Sequence, residues 1–207
     1  MDLLVETLIS GICIGSVYVL ISIGFSLCFG VMHIIDFAVG DWLMIGGFVG
    51  YVLYQTGLDP FVTLPILLIV FFIIGYFFQP VIQHVVSGRR TTNPALMGLV
   101  FTYGLAIFME GIALSIWGHD RRFIRTAFTG ESLAFGGFSI PYMRLLVFFI
   151  GLAATIIILL WLAKTKTGLR VRVTAEDRQI ASILGVDVRR SSSLVFAIYT
   201  GITAMSG

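Results

Sequence analysis

Five apolar runs, each about as long as a bilayer crossing requires, divide this sequence: residues 8–30, 37–55, 61–80, 95–117 and 143–163. A crossing takes roughly 20 mainly apolar residues, so each run predicts a membrane helix. A sixth run starts near Ser193 and reaches Gly207, about fourteen residues, short of a crossing. The pattern predicts an all-α polytopic helical bundle of five complete spans and a truncated sixth, one transmembrane domain over 1–207 that reads as the N-terminal part of a longer chain.

Composition agrees with the pattern. Hydrophobic residues make up 58% of the chain and charged residues 12%, and the mean hydropathy is +1.02, outside the range of soluble domains. Eighteen Phe and 23 Gly suit lipid-facing helices that pack through small residues, and the long runs do not fit the short alternating strands of a membrane barrel. Gly11 with Gly15, Ser22 with Ser26, and Gly46 with Gly50 have the spacing of close helix contacts. Asp2 and Glu6 precede the first run with no Lys or Arg, so a cleaved signal peptide is not expected and the first span is expected to stay. Cys13 and Cys28 lie about 22 Å apart on a helix, too far to bridge, and read as small packing residues.

Charge sets the expected orientation. Lys164, Lys166, Arg170, Arg172, Arg178, Arg189 and Arg190, with Arg89 and Arg90, supply nine of the thirteen basic residues, which places 81–94 and 164–192 on the cytoplasmic side. The loop 118–142 and the N-terminus then fall outside, where Arg121, Arg122, Arg125 and Arg144 run against the rule and Asp120 and Glu131 offset them in part. In that loop SLAFGGFSIP predicts a hairpin turning at Gly136-Gly137 between Phe135 and Phe138, a cap over the mouth of the bundle. The basic residues lie where topology alone would put them, so nucleic-acid binding is not indicated.

Two segments interrupt this scheme. In VMHIIDFAVGDWLMIGG, His33, Asp36 and Asp41 stand in otherwise apolar surroundings. On a continuous helix the two carboxylates would point about 140° apart, whereas a break near Val39-Gly40 would turn both to one cavity. A plain cytoplasmic turn is the alternative, and a neutral, protonated Asp a third reading. Glu110, about 10 Å from Trp117 along its span, faces either an outer vestibule or an interhelical partner. The second segment is TAEDRQIASILGV. Thr174 to Asp177 has the form of a capping box, Gly185 suits a helix C-terminus, and Ile180, Ile183 and Leu184 share one face. A helix of about ten residues is predicted, which either docks in a partner's groove or lies on the membrane.

These segments, with AKTKTGLRVR, WGHDRR, GGFSIPYMRLL and SSSLVFAIYTGITAMSG, resemble in order the permease subunits of bacterial ABC importers for branched-chain amino acids and related amides. The family pattern INFAHG plus an acid is similar to IIDFAVGDW here: Phe37, Ala38, Gly40 and Asp41 match, while Asp36 replaces Asn and Val39 replaces His. The resemblance implies a helix broken near 36–41 beside a substrate pathway, with Asp36, Phe37, Gly40 and Asp41 as pathway residues, and Glu110 is the further pathway candidate on its position within a span. The resemblance also makes Thr174, Glu176, Asp177, Ile180, Ala181, Ile183, Leu184 and Gly185 a coupling helix seated on a cytoplasmic ATPase. The implied partners are a second permease subunit, ATPase subunits that bind ATP and Mg, and an external substrate-binding protein, all at the bacterial inner membrane. The implied cargo is leucine, isoleucine or valine, with urea or a short amide as the alternative.

No cofactor is expected in the chain itself. GxxxxGK[ST] is absent, so the ATPase must be another subunit. His33, His84 and His119 lie in separate segments without metal-ligand spacing, and no serine has a paired base, so no enzyme chemistry is expected. A secondary carrier or channel using Asp36, Asp41 or Glu110 for ion coupling is the reading from a different class.

Overall fold

The computed structural model describes residues 2–86, 93–119, 123–124, 132–135 and 138–207. Among these residues eight helices and one pair of strands follow in order: α1 (Asp2–Met32), α2 (Val39–Gln55), α3 (Pro60–Val86), α4 (Pro94–Trp117), β1 (Ser132–Phe135), β2 (Phe138–Pro141), α5 (Tyr142–Lys164), α6 (Lys166–Glu176), α7 (Arg178–Ile183) and α8 (Val188–Ser206). The chain is a multi-pass, all-α membrane protein. Among the described residues four helices are long and apolar enough to cross a bilayer, over Glu6–Met32, Pro60–Val86, Pro94–Trp117 and Tyr142–Lys164. The second predicted span is shorter than expected: α2 has 17 residues, about 26 Å of helix against a core of about 30 Å. Phe37 and Ala38, part of the predicted run, belong instead to the non-helical stretch 33–38.

Local chemistry sets the boundaries. Asp59-Pro60 and Asn93-Pro94 each place a cap before a proline at the first helical position: Asp59 Oδ1 accepts from Phe61 N–H at 3.2 Å and Asn93 Oδ1 from Leu96 N–H at 3.5 Å. Thr165, extended at φ −98° and ψ 153°, ends α5 and caps α6 by accepting from Gly168 N–H at 2.9 Å. Gly168 is required at that corner, because a Cβ there would lie 2.4 Å from the Trp161 carbonyl oxygen.

The sixth run is the centre of the bundle. α8 begins five residues earlier than the apolar run, at Val188, and packs on α1, α2, α3, α6 and α7. It is less apolar than the outer helices and far more buried, with Ser192, Tyr199, Thr200 and Thr203 fully enclosed. Two of its hydroxyls bond to α3: Thr200 Oγ1 donates to the Phe71 carbonyl at 3.1 Å and Ser193 Oγ to Gln79 Oε1 at 2.8 Å. The long helices around it turn Leu8, Ile12, Phe77, Phe108, Phe149 and Ile157 outward, as lipid-facing surfaces do. Gly46 and Gly50 mark a close approach as predicted, Gly46 against α8. Gly11 and Gly15 do not: a Cβ at either would meet nothing within 4 Å. Cys13 and Cys28 are both free and buried.

Strands β1 and β2 pair antiparallel with Phe135 opposite Phe138, the register of the predicted hairpin. Its turn, Gly136-Gly137, lies outside the described residues, as do Arg89 and Arg90, the 120–122 residues and 125–131 with Arg125 and Glu131.

Candidate functional site

The interruption around Asp36 is a break between α1 and α2, and it falls earlier than the glycine predicted. Val39 and Gly40 are already helical, and a Cβ on Gly40 would meet nothing within 4 Å. The left-handed residue that lets the chain leave α1 is His33, at φ 55°. Side chains of distant helices then take up the exposed backbone. Thr102 of α4 donates from Oγ1 to the Ile35 carbonyl at 3.1 Å and accepts from Phe37 N–H at 3.2 Å. Asp36 Oδ1 accepts from Ala38 N–H at 2.9 Å, closing an Asx turn, and Asp36 Oδ2 accepts from the Tyr199 hydroxyl of α8 at 3.0 Å. Trp42 encloses the turn with edge-on contacts to Phe71, Phe78 and Phe196.

The break separates the predicted pathway residues onto two sides. Asp36 is 4% exposed and faces α8, whereas Asp41 is partly exposed on the flank formed by α2 and α4. Glu110 of α4 is exposed. Phe37 joins them, half exposed and edge-on to Tyr103 at 6.2 Å. Higher up, Phe48 of α2 stacks on Trp117 of α4 at 4.9 Å, so the two helices run side by side. Tyr199 and Thr102 escaped the sequence reading. Each is one hydroxyl in an apolar run, with nothing local to mark its partner 163 or 65 residues away.

The second candidate segment forms two helices instead of one. Thr174 is inside α6, buried and bonded to the Arg170 carbonyl at 2.7 Å, and Glu176 is the last residue of that helix. Asp177 is the cap of α7, accepting from Gln179 N–H at 2.7 Å and Ile180 N–H at 3.0 Å. An Asp can cap alone, so the box at Thr174 is not formed and α7 is six residues long. Gly185, at φ 78°, does end it. Ala181 is fully buried against the bundle, while Ile180, Ile183 and Leu184 are 54%, 83% and 68% exposed.

Between α7 and the break lies a cavity of about 590 Å³, lined by His33, Gln79, Gln83, Asn93, Asp177 and Arg178 among others. Arg178 is half-buried there, and its Nη2 donates to Ser192 Oγ at 3.4 Å. Burial pulls its guanidinium below the usual arginine range. It stays protonated at neutral pH, because an arginine starts many units above it. Among the described residues no His, Cys, Asp and Glu group could hold a metal ion.

Residues 7–207 match the family described as "Branched-chain amino acid transport system / permease component". The chain is 26% identical over 213 residues to the high-affinity branched-chain amino acid transport system permease protein BraD of Pseudomonas aeruginosa, covering 97% of this chain and 68% of that one. It is 25% identical to LivH of Salmonella typhimurium over 211 residues, covering 98% and 68% of the two chains. The probable branched-chain amino acid transport permease protein LivH of Methanocaldococcus jannaschii is 21% identical over 194 residues, 93% of this chain and 62% of the relative. No solved structure matches the chain.

Proposed function

The chain belongs to the permease component family of branched-chain amino acid transport systems, and from that premise we propose an ATP-driven importer subunit for leucine, isoleucine and valine in a bacterial inner membrane. The observation that carries this reading is α7. It holds Ile183 and Leu184 out at the end of the bundle where α1, α3 and α5 finish and α4 and α8 begin. A short capped helix displaying apolar side chains beneath a membrane bundle suits a groove on another protein. We assign that groove to an ATPase subunit, which binds the ATP and Mg, and this end of the bundle to the cytoplasm, in line with the basic residues of 164–190. The chain itself is the transport subunit and performs no hydrolysis.

The flank of α2 and α4 supports the placement of the pathway. Glu110 is exposed in a 24-residue helix otherwise apolar enough to cross a bilayer. A carboxylate at such depth is costly against lipid, so it faces protein or water. We place a second permease subunit against this flank, with Phe37, Asp41 and Glu110 toward the passage between the two subunits. There the ammonium group of an amino acid meets two carboxylates and its side chain meets Phe37 and Tyr103. Asp36 then shapes the break and does not touch cargo, and Gly40 lies in the first turn of α2 beyond it. An external substrate-binding protein delivers the cargo at the opposite end.

Reconstitution tests this reading. The assembled permeases, ATPases and binding protein are placed in proteoliposomes, and uptake of labelled leucine and labelled urea is followed with and without ATP. ATP-dependent leucine uptake is expected. Uptake driven by an ion gradient without ATP would replace it with a secondary carrier, and uptake of urea alone would replace the cargo.

A further inference from the structure

The coupling segment and the helix break line one cavity, Arg178 from the first and His33 from the second. α7 packs on α6 and α8, and the 590 Å³ cavity lies between it and the break. Resting on the permease reading above, we infer that α8 is the lever that carries movement of α7 to the break, with Arg178 and Tyr199 as positioning residues at its two ends. At the lower end Arg178 Nη2 donates to Ser192 Oγ at 3.4 Å. Seven residues on, the Tyr199 hydroxyl donates to Asp36 Oδ2 at 3.0 Å. Positions seven apart lie on one face of a helix, two turns and about 10 Å from each other. Ser192 and Tyr199 are both fully buried.

The attachment of the break makes it sensitive to such a movement. Its backbone is suspended between two hydroxyls on different helices, Tyr199 on α8 through Asp36 and Thr102 on α4 directly. α8 is fastened to α3 through Ser193 with Gln79 and Thr200 with Phe71, so it shifts as a rod. α4 packs on α2 and α3. A displacement of α8 past α4 therefore pulls the two anchors of the break in different directions. A cooperative change follows, because closely packed helices exchange between discrete arrangements and do not stretch continuously.

The test measures ATP hydrolysis and leucine uptake together in proteoliposomes holding the assembled transporter, and reads the uptake per ATP. Tyr199→Phe keeps the ring packing and removes the link to Asp36, and it should lower uptake per ATP by about tenfold while hydrolysis continues. Asp36→Asn, which still offers Tyr199 a hydrogen-bond partner, should stay near the unsubstituted ratio. Arg178→Met probes the other end of the lever, and should lower the ratio in the same sense even if Tyr199→Phe assembles poorly. A merely structural role would lower hydrolysis and uptake in proportion to the amount assembled and leave the ratio unmoved. An unchanged ratio in both variants overturns the lever and leaves the contact of α6 with α1, where Ala175 approaches Gly30, as the route. Absence of ATP-driven uptake in the unsubstituted transporter would instead sink the permease reading, and the lever with it.

Discussion

Gly46→Ala tests whether the packing of α2 on α8 holds this bundle together. A Cβ at Gly46 would lie 2.2 Å from the Ala204 carbonyl oxygen, 2.5 Å from its Cα and 2.6 Å from its carbonyl carbon. All three are backbone atoms of a helix, so no side-chain rotation relieves the clash. The two helices must part by roughly 1 Å, a gap that forfeits up to about half of each pairwise dispersion contact along the seam. Overpacking of this kind typically costs about 1–3 kcal/mol, and α8 is the helix against which five others pack. Alanine has a better helix propensity than glycine by about 1 kcal/mol, which works in the opposite direction. Gly15→Ala measures that gain separately, since a Cβ there meets nothing within 4 Å. Relative to Gly15→Ala, Gly46→Ala should therefore lose about 5- to 150-fold in its folding equilibrium. The assay is reversible unfolding in mixed detergent and lipid, followed by Trp fluorescence and by protease resistance. Ala204→Gly should fail to rescue the variant, because the clash does not involve the Ala204 methyl. If Gly46→Ala is as stable as Gly15→Ala, or if Ala204→Gly restores it, the backbone contact is not what holds α2 to α8.

Gly75→Ala provides the contrasting case. Its Cβ would lie 2.0 Å from Thr200 Oγ1, so Thr200→Ala should recover part of the loss, with a coupling of about 0.5–3 kcal/mol in a double-mutant unfolding cycle. Thr102→Val keeps the shape of the side chain but leaves the Phe37 N–H and the Ile35 carbonyl without their partner; it should cost about 1–3 kcal/mol in the same unfolding assay. Asp177→Ala removes the α7 cap, about 0.5–2 kcal/mol of helix stability, and should reduce co-purification of the ATPase while leaving permease unfolding little changed. Ile183→Glu together with Leu184→Glu should abolish co-purification without destabilising the permease, because both side chains are solvent-exposed in the free chain. Retained co-purification would remove α7 from the docking surface.

The helices nearest lipid were the most legible in the sequence. Their length and apolarity follow from bilayer thickness, a constraint that acts on each run separately. The caps at Asn93 and Asp187 went unread, although an Asx side chain reaches a backbone N–H two or three residues on, and Asp177 was read only as the far end of a box. Thr174 and Asp177 illustrate the limit of that local rule. Both offer a suitable oxygen, and the choice went to Asp177 because Thr174 is enclosed in α6 and bonded to Arg170. α8 was the hardest element to place. Counting only from Ser193 made it too short for a crossing, whereas the helix starts at Val188 and its Ser193 and Thr200 hydroxyls bond to α3.

By itself, then, the sequence determined that this is a multi-pass helical membrane protein, where most crossings lie, that a polar interruption stands at 33–41, and that a short amphipathic helix lies between two spans near residue 180. These follow from periodicity, run length and local hydrogen-bonding reach. Only the tertiary structure decided that α8 is the hub, that Asp36 turns inward to Tyr199 while Asp41 stays partly exposed, and that the break is held from α4 and α8 at once. The physical reason is that a lone carboxylate or hydroxyl in an apolar run must be satisfied somewhere, but which group satisfies it depends on chain segments more than sixty residues away.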